Sequence, residues 1–107
     1  MKIIAIIQAR LGSTRLPRKV LSEIAGRPML AHLIERARMI RGVDQICIAV
    51  PASEWGLEWL RFIETQLDLL EQKPEVKWGV VEGDPADVVW RIYAAARTLE
   101  ADAVVRL

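Results

Sequence analysis

The run Gln8-Ala9-Arg10-Leu11-Gly12-Ser13-Thr14-Arg15-Leu16-Pro17-Arg18-Lys19 gathers the residue types that grip a small anion. Gly12 and the two short hydroxyl residues after it allow a turn whose backbone N–H groups converge on one point. Arg10, Arg15 and Lys19 add positive charge, and an arginine can hold phosphate oxygens through two parallel hydrogen bonds. The chemistry these residues suggest is the cradling of phosphoryl groups. Their spacing is neither the Gly-x-Gly-x-x-Gly dinucleotide fingerprint nor the Walker A loop with its terminal Gly-Lys-Ser/Thr. Pro17 keeps a helix from starting at Ser13, so the loop runs on past the anion site.

Charge placement supports the same chemistry. Between positions 8 and 27 stand five basic residues, Arg10, Arg15, Arg18, Lys19 and Arg27, against one acid, Glu23. Between positions 54 and 75 stand six acids, Glu54, Glu58, Glu64, Asp68, Glu71 and Glu75, against two bases, Arg61 and Lys73. Charge alone is better explained by a solvated surface. A basic loop at the tip of a buried strand is better explained as a phosphate site. Other reactive residue types carry less. His32 lies beside apolar positions of a helix and reads as structural, and Cys47 inside a strand reads as a small buried hydrophobe. Trp55 and Trp59, four apart, belong to one packing surface, while Trp78 falls in a strand and Trp90 on a helix. Glu82 and Asp84 could approach a metal, but Asp84 is more simply a helix cap.

The loop needs a scaffold, and the flanking pattern supplies one. Residues 2–7 form a nearly continuous apolar run, too short for a helix, which reads as a strand buried on both faces. Pro28 opens a helix at its first position, carrying Met29, Leu30, Leu33, Ile34, Ala37 and Ile40, with Gly42 as its stop. Residues 45–50 are a second strand, ended by Pro51. Ser53 is expected to cap a long helix with Leu57, Leu60, Ile63, Leu67 and Leu70 on one face. Residues 76–81 make a third strand, Asp84-Pro85 starts a helix through Leu99, and residues 103–107 make a fourth strand. This alternation is the pattern of an α/β domain with a parallel sheet, in the doubly wound order 3-2-1-4. Ligands then bind at the C-terminal ends of strands 1 and 4, and the basic loop leaves the tip of strand 1. The expectation is that the sheet is truncated after strand 4, leaving an apolar edge through which the chain self-associates as a homo-oligomer.

Composition sets the outer bounds. The chain has 107 residues, 52% hydrophobic and 27% charged, with a formal net charge of +1. That suits one domain over residues 1–107. Near-neutrality gives no electrostatic case for nucleic acid or an anionic membrane, and no apolar run approaches a membrane span. The N-terminal apolar stretch is followed by Gln8-Ala9-Arg10 and does not read as a signal peptide, so a cytoplasmic protein is expected. A single cysteine excludes a disulfide framework and a cysteine-rich metal site.

Ile6-Ile7-Gln8-Ala9-Arg10-Leu11-Gly12-Ser13-Thr14-Arg15-Leu16-Pro17, with Lys19-Val20-Leu21 and Gly26-Arg27-Pro28-Met29-Leu30, closely resembles the start of the cytidylyltransferases that make CMP-activated acidic sugars. The likeness is nearest to the spore-coat polysaccharide branch, with the CMP-Kdo and CMP-acylneuraminate synthetases as relatives. Glu82-Gly83-Asp84, Asp87-Val88-Val89 and Arg91-Ile92-Tyr93 are similar to that branch's helix start after strand 3. The resemblance implies a Rossmann-like nucleotidyltransferase fold, the nucleotide-diphospho-sugar transferase type, present as its N-terminal nucleotide-binding part. It implies CTP and an acidic sugar as partners, transfer of CMP with release of pyrophosphate, and Mg2+ as cofactor. Arg10, Arg15 and Lys19 would hold the β- and γ-phosphates, and Gly12 and Ser13 would add backbone and hydroxyl contacts. Gln8 and Ala9 would meet the nucleotide, and Asp87 and Arg91 would shape the nucleotide or sugar side.

Two departures qualify the implied activity. The family usually has Gly where Arg18 stands, and its magnesium-binding acid lies just beyond the fourth strand, whereas this sequence ends at Leu107. A non-catalytic nucleotide-binding or oligomerisation module is therefore the alternative expectation. A uridylyl- or guanylyl-transferase ranks below both, because the glycine-rich loops of those enzymes differ from Gln8-Ala9-Arg10.

Overall fold

The computed structural model describes residues 1–12, 19–82, 92, 96, 97 and 99–107. Its centre is β1 (Ile3–Gln8), rich in isoleucine, whose branched side chains favour an extended, pleated backbone. β4 (Gln45–Pro51) lies on one side of β1 and β6 (Ala103–Arg106) on the other, with β5 (Glu75–Val81) beyond β4. Every pairing in this sheet is parallel, and the order β5-β4-β1-β6 is the expected 3-2-1-4.

Ile4, Ala5, Ile6 and Ile7 are fully buried, because both faces of β1 are covered. Alternate side chains divide between two cores. Ala5 and Ile7 join Ile46, Ile48 and Val50 against Leu30, Ile34, Trp59 and Phe62. Ile4 and Ile6 join Cys47 and Ala49 on the opposite face, where Ile92, Ala96, Leu99 and Ala101 pack.

The start of β1 is pinned from both neighbours. Asp44, just ahead of β4, accepts the Ile3 N–H on its carboxylate at 2.8 Å and donates its own N–H to the Ile3 carbonyl at 2.8 Å. Asp102, just ahead of β6, accepts the Lys2 N–H at 2.5 Å and donates its N–H to the Lys2 carbonyl at 2.8 Å. These bonds fix the register at one end of the sheet, and parallel strands carry that register to the other.

The first helix, α1 (Met29–Met39), buries Leu30, Ala31, Ile34 and Ala37. Pro28 is its N-cap and Met29 its first residue, so the helix starts one residue later than expected. A short hairpin precedes it, β2 (Glu23–Ile24) with β3 (Arg27–Pro28). Ala25 and Gly26 connect the two with φ of 54° and 80°, the left-handed pair that tight two-residue hairpin turns require. The sequence pattern did not point to this hairpin, because strands of two residues carry no apolar alternation.

The long second helix is corrected by the structure. Ser53 lies in a 3-10 turn, Ala52–Glu54, and caps nothing. Gly56 is the N-cap of α2 (Leu57–Thr65), and Gln66, with φ of −119°, breaks the helix before α3 (Leu67–Leu70). The expected apolar face is also rotated. Ile63 and Leu70 of that face do pack in the core, but Leu57, Leu60 and Leu67 are 64%, 47% and 47% exposed, while Trp59, Phe62 and Leu69 are buried. The cause is Trp78 on β5, whose ring lies 5.8 Å from Trp59, 6.1 Å from Phe62 and 5.6 Å from Trp55. Large rings bury more area than leucines, so the helix turns to seat them. Trp55 and Trp59 do share one packing surface, through Trp78.

Of the third expected helix, from Asp84 through Leu99, most residues lie outside those described, including Trp90; Ile92, Ala96 and Arg97 are helical.

The rotated face is directly testable by chemical denaturation. Trp59→Ala is expected to cost about 3–5 kcal/mol, the range for emptying a large buried aromatic site. Leu60→Ala should stay within about 0.5 kcal/mol, as a partly exposed side chain does. Equal losses would restore the leucine face.

Candidate functional site

Parallel strands bring their C-terminal ends to one edge of the sheet, so the segments leaving β1 and β4 start side by side. The two strands pair as far as Gln8 opposite Ala49, and the Ala9 N–H extends the pairing with a 3.0 Å bond to the Ala49 carbonyl. Ala9 is fully buried, and its small side chain suits the core at this point. Arg10 is exposed, Leu11 half-buried and Gly12 exposed.

From β4, buried Pro51 leads the chain into the Ala52–Glu54 turn, closed by the Trp55 N–H on the Ala52 carbonyl at 3.2 Å. Glu54 then reaches back across the edge of the sheet. Its Oε1 accepts the Leu11 N–H at 2.6 Å and its Oε2 accepts the Gly12 N–H at 2.9 Å. Two successive amides, each on its own oxygen of one carboxylate, form the concave donor pair that holds anions. A Cβ at position 12 would lie 2.9 Å from Glu54 Oε2, so the bare glycine leaves the carboxylate room.

Of the sequence-predicted site residues, Gln8, Ala9, Arg10 and Gly12 gather at the tip of β1. Lys19 opens the 3-10 turn Lys19–Leu21, whose Val20 is buried in the main core. Ser13, Arg15, Asp87 and Arg91 lie outside the described residues. The Gly12 N–H, assigned from sequence to phosphate, is held by Glu54. Glu54 is the residue that sequence reasoning missed, since nothing in its type or neighbours separates it from the other acids of its segment. The signal that could have found it is topological: adjacent parallel strands deliver their exit loops to one place.

Other reactive groups are occupied elsewhere. His32 Nε2 donates to the Ile24 carbonyl at 2.6 Å, tying α1 to the hairpin. It lines a hollow of about 430 Å³ with Ile24, Met29 and Leu33, none of them from the tip of β1. Burial pushes the Cys47 thiol up to about 11 from 9.0, which leaves it protonated and without nucleophilic character. Among the described residues no group of three or more His, Cys, Asp or Glu side chains is placed to hold a metal ion.

The tip lies at the C-terminal edge of an open parallel sheet, at the end of β1, from which the order runs to β4 and β5 on one side and to β6 on the other. That is the crevice in which doubly wound sheets take their ligands. Fold and tip together define a Rossmann-like α/β domain with an anion-accepting loop after its first strand. The comparisons are specific about which one. Residues 4–54 match the sequence pattern of the family described as cytidylyltransferase. A 3-deoxy-manno-octulosonate cytidylyltransferase of Acidobacterium capsulatum is 52% identical over 54 residues, 50% of this chain and 22% of the relative. The enzyme of that name from Pasteurella multocida is 41% identical over 87 residues, 74% of this chain and 34% of the relative. The solved structure of CMP:2-keto-3-deoxy-manno-octonic acid synthetase complexed with CTP superposes over 100% of this chain and 39% of its own, with TM-score 0.73 and 25% identity. Over residues 4–54 the sequence is similar to the cytidylyltransferases, and over the whole chain the fold is similar to that of a CMP-sugar synthetase. It spans only about a fifth to a third of the length of the curated relatives cited above. Among the described residues no helix is long and apolar enough to cross a membrane.

The Cys47 thiol gives a signed pH test. Above pH 9.0 the unfolded thiol ionises while the buried one stays protonated up to about 11. The unfolded state then binds fewer protons, so stability falls as pH rises through that window. Cys47→Ala should lack this part of the decline in denaturation curves at pH 8 and about pH 11. Parallel curves for the two proteins would refute a buried thiol.

Proposed function

We propose that the chain binds CTP at the tip of β1 and serves an enzyme that transfers CMP to an acidic sugar, releasing pyrophosphate. The carrying observation is the Leu11–Gly12 amide pair beside exposed Arg10, an anion-accepting tip that lies inside the stretch matching the cytidylyltransferase family. The names of the relatives support CTP as the nucleotide and a 3-deoxy-octulosonate type of acid as the sugar class. The pathway proposed is cell-surface polysaccharide synthesis, in the cytoplasm.

In the proposed reaction an oxygen of the sugar attacks the α-phosphorus. A bond forms from that oxygen to phosphorus, the bond from the α-phosphorus to the bridging oxygen breaks, and pyrophosphate carries the electron pair away. Negative charge grows on the leaving group, so cations fixed around it favour the transition state over the ground state. Arg10, Arg15 and Lys19 take that role in this reading. Ser13 supplies a hydroxyl contact, Gln8 and Ala9 border the nucleotide, and Asp87 and Arg91 shape the nucleotide or sugar side. The triphosphate is taken as its magnesium complex, and no step is assigned to a metal ligand of this chain.

Calorimetric titration with CTP, ATP, GTP and UTP, with and without magnesium, tests the reading. CTP should bind more tightly than the other three. Four equal affinities would reduce the site to a phosphate cradle, and no binding by the folded chain would remove the proposal. Arg15→Ala should weaken CTP by about 1.5–3 kcal/mol, the range for a charged hydrogen bond. Unchanged affinity would take Arg15 out of the site.

A further inference from the structure

We infer that Glu54 is an internal anion: its carboxylate occupies the Leu11–Gly12 amide pair in the nucleotide-free chain and must leave before a phosphoryl group can bind there. This rests on the phosphate reading of the loop. It adds a competitor for the site, built into the same chain from the neighbouring strand.

The geometry leaves no room for both. An N–H makes one well-aligned bond, and both amides already make theirs, at 2.6 and 2.9 Å, to separate oxygens of one group. A phosphoryl group offers the same thing that the carboxylate offers, a pair of anionic oxygens. When one replaces the other, the amides exchange like for like and their hydrogen bonds nearly cancel. What does not cancel is charge. A carboxylate remaining beside a phosphate repels it, so Glu54 has to swing into water when phosphate arrives.

The surroundings allow that swing. The Gly12 bond lies at the surface, and Glu54 is only half-buried. It ends a single 3-10 turn, beyond which Gly56 caps the next helix. The backbone of the turn is held by buried Pro51 and by the Trp55 ring against Trp78, so rotation of the side chain suffices and β4 need not move. The opposite role, a carboxylate that only braces the loop for its ligand, predicts an effect of opposite sign on affinity.

The test compares wild type with Glu54→Gln and Glu54→Ala, titrated calorimetrically with tripolyphosphate and with CTP. Amide NMR signals of Leu11 and Gly12 are followed in parallel. Removing the charge should tighten tripolyphosphate binding by roughly tenfold, the scale of one charged hydrogen bond. The two amide signals should differ between wild type and variants without ligand and converge at saturation. Glu54→Gln is the decisive variant, because it keeps the length of the side chain. Equal or weaker binding by Glu54→Gln, with wild type binding normally, overturns the inference and leaves the phosphate reading standing. No binding of tripolyphosphate or CTP by any of the three proteins overturns both.

Discussion

β1 has neighbours on both edges and side chains packed on both faces. A strand so enclosed exposes its backbone only at its ends. Its neighbours must therefore satisfy its hydrogen bonds, and its two faces must each be covered, which is why parallel sheets of this kind are layered. Chemistry on such a strand is confined to its tip. The carboxylates of Asp44 and Asp102 flank its start from β4 and β6, fixing where both neighbours lie along it. The meeting of Leu11 with Glu54 at the far end is the result of that register, carried along the strands.

Packing of the aromatic cluster bears on the same meeting. Trp55 follows Glu54 directly, and its ring lies 5.6 Å from Trp78 on β5. Pro51, at the other end of the turn, is buried at the end of β4. The backbone that carries Glu54 is thus fastened on both sides by apolar contacts, which need no partner across the edge of the sheet. The carboxylate is the mobile part of a rigid support. A flexible turn would have made the contact to Leu11 and Gly12 depend on loop entropy; here that entropy is already spent in the core.

Much of this was legible in the residues. Isoleucine-rich β1, the spacing along α1 and the strand boundaries all follow from periodicity, and they lead to the observed strand order. The face of α2 was not legible, because leucines recur at helical spacing while the decisive partner, Trp78, belongs to another strand. The hairpin before α1 carries no pattern that four exposed or half-buried residues could show. At the site, the types and spacing from Gln8 to Lys19 point to an anion grip, and the structure places an anion on Gly12. That the anion is Glu54 depends on a contact 42 residues away in sequence. Local patterns do not encode such a contact; the parallel pairing of β1 with β4 does.

An acid in a basic loop's donor pair is consistent with phosphate binding. Convergent amides left without an acceptor are costly once partly withdrawn from water, so a folded anion site favours some occupant at all times. An occupant tethered to the same chain competes at an effective concentration of order millimolar or above. Singly charged solutes, which offer the amides no more than Glu54 does, are then poor competitors. A triphosphate differs in kind, because its further charges also engage cations such as Arg10, and those contacts have no counterpart in the Glu54 complex. The carboxylate thus lowers the affinity of every anion by the same factor and leaves their ratios unchanged, so that at a given concentration only ligands with further contacts, as multiply charged phosphates have, fill the site.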